Sequence, residues 1–310
     1  QLPISSWSEV HCADLHSLGL DQMPALLIIT LPELVPAAER IADLHKRMEG
    51  INTAIVLSDD VIDEFSAGVP DPMAYRALAK MLYDRDNPDD RTFKNILLLG
   101  PCVRDQRNIL GMASKGTLIC NQSFLARNVD DSYVLNDWYG MMGDYTIATP
   151  DAPANDFIKV PMEIGVGNIP ATDLKDAYTY IDKLEAFYND ESLAYWLNES
   201  TMNADGTNNN EHQNDMENLY RDFMSVTGNS HTGAKLYNNL YPAGGTTKAF
   251  CRNLARGSLF NFYLGHADAT GLNDEFWKFS KEQLLYNNRL GFMLFGGCTI
   301  TAFDNNYRGS

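Results

Sequence analysis

PALLIITL (Pro24–Leu31), PAAERIADLHKRM (Pro36–Met48) and INTAIVL (Ile51–Leu57) follow one another directly, and their order decides the fold. The first is a continuous apolar run, the signature of a strand buried on both faces. The second places Ala, Ile, Leu and Met at helical spacing, with Pro36 suited to a first turn. The third is strand-like again. Further on, Asp71–Tyr83 (DPMAYRALAKMLY) has a capping Asp, a Pro at the next position and a helical stripe. Asn95–Gly100 (NILLLG) reads as another buried strand. Strand and helix alternate, so the fold class is α/β: a parallel sheet with helices on its faces.

Outward from this block the pattern loosens. Residues 101–160 read as loops and short strands, with Tyr133 and Trp138 in an acidic setting, and Trp138 and Tyr139 either shape a peptide groove or simply pack. Met162–Gly167 suggests another strand, and Thr172–Tyr188 is a helix with Ala177, Ile181, Leu184 and Tyr188 on one stripe. A boundary near residue 190 then gives two subdomains, 1–190 and 191–310. The Asn-rich stretch Asn198–Asn214 reads as a surface loop and Asp215–Val226 as a helix. Tyr237–Thr247 is rich in turn formers. Helical Thr246–Arg256 leads to a strand Ser258–Leu264, and helical Glu275–Tyr286 leads to a strand Leu290–Phe295. No internal repeat is visible.

Composition narrows the function. The 310 residues include 24 Lys plus Arg against 41 Asp plus Glu, a formal charge of -17. Such a surface repels phosphate, which excludes a nucleic-acid partner and favours cationic ones. No run approaches the roughly 18 apolar residues of a membrane helix. The chain begins at Gln1 with no leader pattern after it, as a processed or trimmed product would. The five cysteines, Cys12, Cys102, Cys120, Cys251 and Cys298, show no CxxC spacing and are odd in number, so they do not build a disulfide framework.

Two residues carry the chemistry. His266 and Cys298 each stand just past the carboxyl end of an apolar strand, and each is introduced by Gly. Ligands bind at the carboxyl ends of parallel strands, and consecutive strands are usually neighbours. An imidazole and a thiol would thus lie side by side, and a thiol beside a histidine is a strong nucleophile. Backbone N–H groups at Ala267 and Cys298 are the candidate donors for a developing oxyanion. The bland alternatives are a loop histidine and a buried thiol.

GSLFNFYLGH (257–266) and the segment from Gly296 to Asp304 resemble the His and Cys motifs of gingipain-like cysteine peptidases of the caspase-fold clan. Residues 25–46, 63–84, 95–100 and 166–188 are similar more specifically to the type IX secretion system sortases, the C-terminal signal peptidases of Bacteroidetes. The resemblance implies a caspase-like (gingipain-like) parallel-sheet sandwich, C-terminally incomplete because such proteins continue beyond the equivalent of Ser310. It implies Cys298 as nucleophile, His266 as catalytic histidine and Asp205, in MNADG (Met202–Gly206), as the acidic partner. Glu211, His212, Asp215 and Glu217 are alternatives, and an Asp before Gly also makes an Asx turn. Two positions depart from the pattern: Ala267 follows the histidine where the family has Gly, and Asn168 stands where it often has Arg.

The implied activity is a cysteine endopeptidase or transpeptidase that acts on C-terminal signal domains of secreted cargo. The implied partners are those protein substrates and an outer-membrane barrel shuttle, and the implied location is the cell surface. No cofactor is required. A structural calcium is admitted, with the acidic segment 203–217 as a source of oxygen ligands; for His212 and His231 as zinc ligands no paired spacing exists. A catalytically inactive binding module and a secreted gingipain-type protease are the rival readings, the first kept open by Ala267.

Overall fold

The computed structural model describes residues 13–103, 117–120, 134–143, 161–189, 195–242, 244–268, 271–272, 277–278, 289–298 and 300. The chain divides into two compact units, one ending at Ile181 and the other starting at Asp182. The division falls inside the helix that precedes residue 190.

The first unit is built on β1 (Leu26–Thr30), α1 (Val35–Glu49), β2 (Thr53–Leu57), α2 (Ser58–Ser66), α3 (Pro72–Arg85), β3 (Asn95–Leu99), β4 (Cys102–Val103), β5 (Leu118–Ile119), β6 (Gly165–Ile169) and α4 (Leu174–Tyr188). Its main sheet has the order β2-β1-β3-β6, parallel throughout. All five residues of β1 are buried, as the unbroken apolar run requires of a central strand covered on both sides. Each large side chain buried there contributes roughly 1.5–3 kcal/mol. Helix α1 turns Ala37, Ala38, Ile41 and Leu44 inward and closes at Gly50, whose left-handed backbone lets its N–H reach the Lys46 carbonyl. Asp71 caps α3 by accepting the Met73 N–H at 2.8 Å. Tyr139 is fully buried and donates to the Ile119 carbonyl, while Trp138 lies under the Arg76 guanidinium; both therefore pack rather than line a groove. Asn168 accepts a hydrogen bond from Asn136 at 2.8 Å, a polar tie at the position where the family often carries Arg.

The second unit contains β7 (Glu199–Ala204), α5 (Thr207–Thr227), β8 (Thr232–Tyr237), α6 (Gly245–Arg256), β9 (Phe260–Leu264), β10 (Ala267–Asp268), β11 (Gly271–Leu272), β12 (Trp277–Lys278) and β13 (Phe292–Gly296). Its sheet has the order β13-β9-β7-β8, again parallel. Met216 of α5 packs with Met202 and Ala204 of β7, whereas Ala249 and Phe250 of α6 pack with Tyr263 of β9. The two helices thus cover opposite faces, and the strand order reverses beside β7.

Two expectations are corrected here. Asn198–Asn214 is not a surface loop: it supplies the buried strand β7 and the start of α5. The Asn, Ser and Thr residues that suggest a loop are tolerated because Ser200, Thr201 and Asn203 lie inside a parallel sheet, where Thr201 donates to Ser258 Oγ and Asn203 to the Phe262 carbonyl. Within the expected helix Glu275–Tyr286, Trp277 and Lys278 instead form a strand paired with β11, and the rest of that segment lies outside the described residues. Among the described residues, no helix is long and apolar enough to cross a membrane.

Candidate active site

Strands β9 and β13 run parallel, and their last paired residues are Leu264 and Gly296. His266 and Cys298 each stand two residues beyond that pair. Neighbouring strands are about 5 Å apart, so the two residues leave the sheet at one edge from adjacent starting points. The chains stay together past the pairing. Gly265 donates its N–H to the Gly296 carbonyl at 3.0 Å. A Cβ on Gly297 would sit 2.8 Å from the Ala267 Cβ and 3.0 Å from the Gly265 oxygen. Glycine at 297 is therefore demanded by close contact with the Gly265–Ala267 segment.

Asp205 enters from the other neighbour of β9. It follows Ala204, which pairs with Leu264, and its own N–H donates to the Leu264 carbonyl at 3.0 Å. Its carboxylate is fully buried. One oxygen accepts the Thr207 N–H at 2.9 Å, an Asx turn at the head of α5, and the other accepts the His266 backbone N–H at 3.3 Å. The turn-forming reading of Asp205 is what these bonds show. Its hold on His266 is through the main chain.

Tyr263, which the sequence did not mark, holds the other side of the same residue. Its hydroxyl donates to the His266 carbonyl at 2.5 Å. Burial, aided by the nearby Asp205 charge, pushes the phenol well above its ordinary range, so it remains a donor at any physiological pH. His266 is exposed at its side chain while Asp205 and Tyr263 grip its N–H and C=O. The alternation of β9 betrays Tyr263 only weakly: it is the inward residue two positions before Gly265.

Of the alternatives for the acidic partner, Glu211 and Asp215 are exposed on α5. Glu217 is committed elsewhere: Lys235 binds it at 2.7 Å and Tyr237 at 2.6 Å, which lowers its pKa. His212 alone joins the cluster, its ring lying edge-on to that of His266 at 5.3 Å. His231 packs instead against Phe223. Segment 203–217 does not fit calcium. It is strand and helix, not an oxygen-lined loop, and its Glu217 carboxylate is bonded to Lys235 and Tyr237.

Four cysteines fall among the described residues. Cys102 and Cys120 are buried, Cys251 is half-buried with its thiol pKa pushed up by burial, and Cys298 is exposed. Cys298 is thus the accessible thiol, and its backbone leaves the sheet beside that of His266. Ala267 belongs to β10, in extended backbone that alanine adopts without strain, so the departure from Gly leaves its N–H in place. Asp304, at the end of the family-like segment, lies outside the described residues.

Residues 20–310 match the model of peptidase family C25. No curated protein matches the chain. Among solved structures it is similar to the Arg-specific cysteine proteinase gingipain R (RgpB), with 17% identity and a TM-score of 0.60 over 91% of this chain and 56% of that one. The complex of RgpB pro- and mature domains from Porphyromonas gingivalis gives 18% identity and a TM-score of 0.60 over 91% and 57%. Dimeric latent PorU from Porphyromonas gingivalis gives 27% identity and a TM-score of 0.46 over 56% and 16%. The two RgpB likenesses establish a shared gingipain fold, and the chain spans little more than half the length of those structures.

Proposed function

The chain belongs to peptidase family C25, a family of cysteine peptidases, and on that premise we propose that it is a cysteine endopeptidase acting through Cys298 and His266. The observation that carries the reading is the matched placement of these residues, each two positions past one pair of parallel strands. His266 takes the Cys298 proton, and the thiolate sulfur adds to the scissile carbonyl carbon. The N–H groups of Ala267 and Cys298 receive the charge on the carbonyl oxygen. As the tetrahedral adduct collapses, the C–N bond breaks, His266 returns the proton to the leaving amine, and a thioester remains. Water or an amine then adds to the thioester, gives its proton to His266, and frees Cys298. Asp205 and Tyr263 act as positioning residues by fixing the His266 main chain. No cofactor takes part.

The substrate class follows from the sequence segments 25–46 and 63–84, which resemble type IX secretion sortases. On that resemblance the substrate is the C-terminal signal domain of exported cargo, cut at its upstream linker. The acceptor is water or an amine of a surface glycolipid, and the site of action is the cell surface beside an outer-membrane barrel shuttle. Replacing Cys298 by Ala tests this directly. Cells carrying the variant should accumulate unprocessed cargo, and normal processing would refute the nucleophile. A thiol-directed peptide probe that labels the protein, and fails to label His266→Ala, separates an active enzyme from a binding module of the same fold.

A further inference from the structure

We propose that Asp205, His212 and His266 form a binding site for zinc(II) whose occupancy switches the peptidase off. A carboxylate oxygen of Asp205 and one ring nitrogen from each histidine all lie within 4.8 Å of one another. Zinc bonds of about 2.0–2.2 Å arranged tetrahedrally set ligand atoms about 3.3 Å apart. Ring rotations of an ångström or so close the difference, and the exposed His266 side chain has room to make them.

A second observation points to a ligand. The Nε2 atom of His212 is buried and has no hydrogen-bond partner. A buried imidazole nitrogen left bare is costly, and a metal ion bonded to it would satisfy it. Two nitrogens and one carboxylate oxygen match zinc rather than calcium, which takes oxygen ligands. Three protein ligands leave a fourth position for water. The supporting bonds are present too. Asp205 is already oriented by the Thr207 and His266 N–H groups, each taking one lone pair of one oxygen, so both oxygens keep capacity for a cation. The chain's formal charge of -17 draws divalent cations in.

The consequence for activity rests on the peptidase reading; the binding does not. An imidazole whose lone pair is held by zinc cannot accept the Cys298 proton. The test is calorimetric titration of the metal-stripped protein with zinc chloride, paired with cobalt(II) titration read by visible absorption. One zinc per chain and the d–d bands of four- or five-coordinate cobalt are expected. His212→Gln should weaken zinc binding at least about tenfold. His231→Gln and Cys298→Ala should bind as the parent does. Half-inhibition of peptide cleavage, scaled to each variant's zinc-free rate, should move by the same factor in His212→Gln. Absent binding overturns the site. So does parental affinity in His212→Gln, or loss of affinity in Cys298→Ala, which would mean plain thiol capture. If His212→Gln does not fold, histidine ring resonances of the parent decide: zinc must shift two ring systems together, and a shift in none or one refutes the cluster. Zinc bound as described to a protein that cleaves nothing would sink the peptidase reading and leave the metal site standing.

Discussion

Gly265→Ala probes the contact on which the whole site hangs. A Cβ at this position would lie 2.4 Å from the Asp205 Cβ and 2.8 Å from the Tyr263 hydroxyl. Ordinary contact begins about an ångström further out, so two side chains must move. Neither is a free end: Asp205 is fully buried and bonded at both oxygens, and Tyr263 is buried and bonded to His266. Overpacking of this kind costs about 1–3 kcal/mol. For a unit of this size that lowers the melting temperature by roughly 4–15 °C. The displaced groups are the two that grip the His266 peptide, so turnover falls along with stability. Melting by circular dichroism and peptide cleavage measured on the same preparation read both effects. Gly167→Ala is the control, because its Cβ would meet nothing nearer than 3.6 Å and should leave both readings close to parental. A Gly265→Ala protein melting within about 1 °C of the parent and turning over at the parental rate would refute the packing account.

Two further expectations follow from single bonds. Tyr263→Phe removes the donor to the His266 carbonyl and should cost about 0.5–1.5 kcal/mol of stability. If the phenol positions the histidine, kcat falls by up to about tenfold while KM holds; an unchanged kcat contradicts that role. Glu217 is held below its ordinary pKa first by the Lys235 hydrogen bond and then by Tyr237. A carboxylate with a lowered folded pKa stabilises fully above its unfolded value of about 4.3 and loses that contribution as pH falls through the folded value. Lys235→Ala should therefore flatten the acid limb of a melting-versus-pH curve below about pH 5, and curves that run parallel for parent and variant rule the pairing out.

How far the sequence foretold this depends on the physics at each place. Strands such as β1 and β3 are legible because an unbroken apolar run has no other economical home than a covered parallel sheet. Helix α3 announces itself through Asp71 and Pro72. Strand β7 is illegible because it buries Ser200, Thr201 and Asn203, and the Thr201 hydroxyl and Asn203 amide N–H find partners only after distant segments arrive, with Ser258 and Phe262 nearly sixty residues on. No local pattern records such a debt. The places of His266 and Cys298 beyond adjacent strand ends were readable from their glycines. Tyr263 and the bare nitrogen of His212 were not, since each acts through a contact that tertiary packing alone creates.

The two units also repeat one topology that the sequence conceals. In each sheet the first strand is central, the second lies on one side, and the third and fourth follow on the other: β2-β1-β3-β6 and β8-β7-β9-β13. Both therefore have a reversal of strand order beside the first strand, the place where open parallel sheets bind ligands. Only one is furnished for chemistry. Beyond the aligned ends Ala204, Leu264 and Gly296 come Asp205, His266 and Cys298. Beyond the corresponding ends Thr30, Leu99 and Ile169 come Leu31, Pro101 and Ala171. These have no proton to move and no nucleophile to offer, and Thr30 spends its hydroxyl on the Leu99 carbonyl at 2.9 Å. Since the backbone supplies the same edge twice, the fold alone does not account for the proposed activity. The difference lies in three side chains and in the glycines that let their strands close on one another.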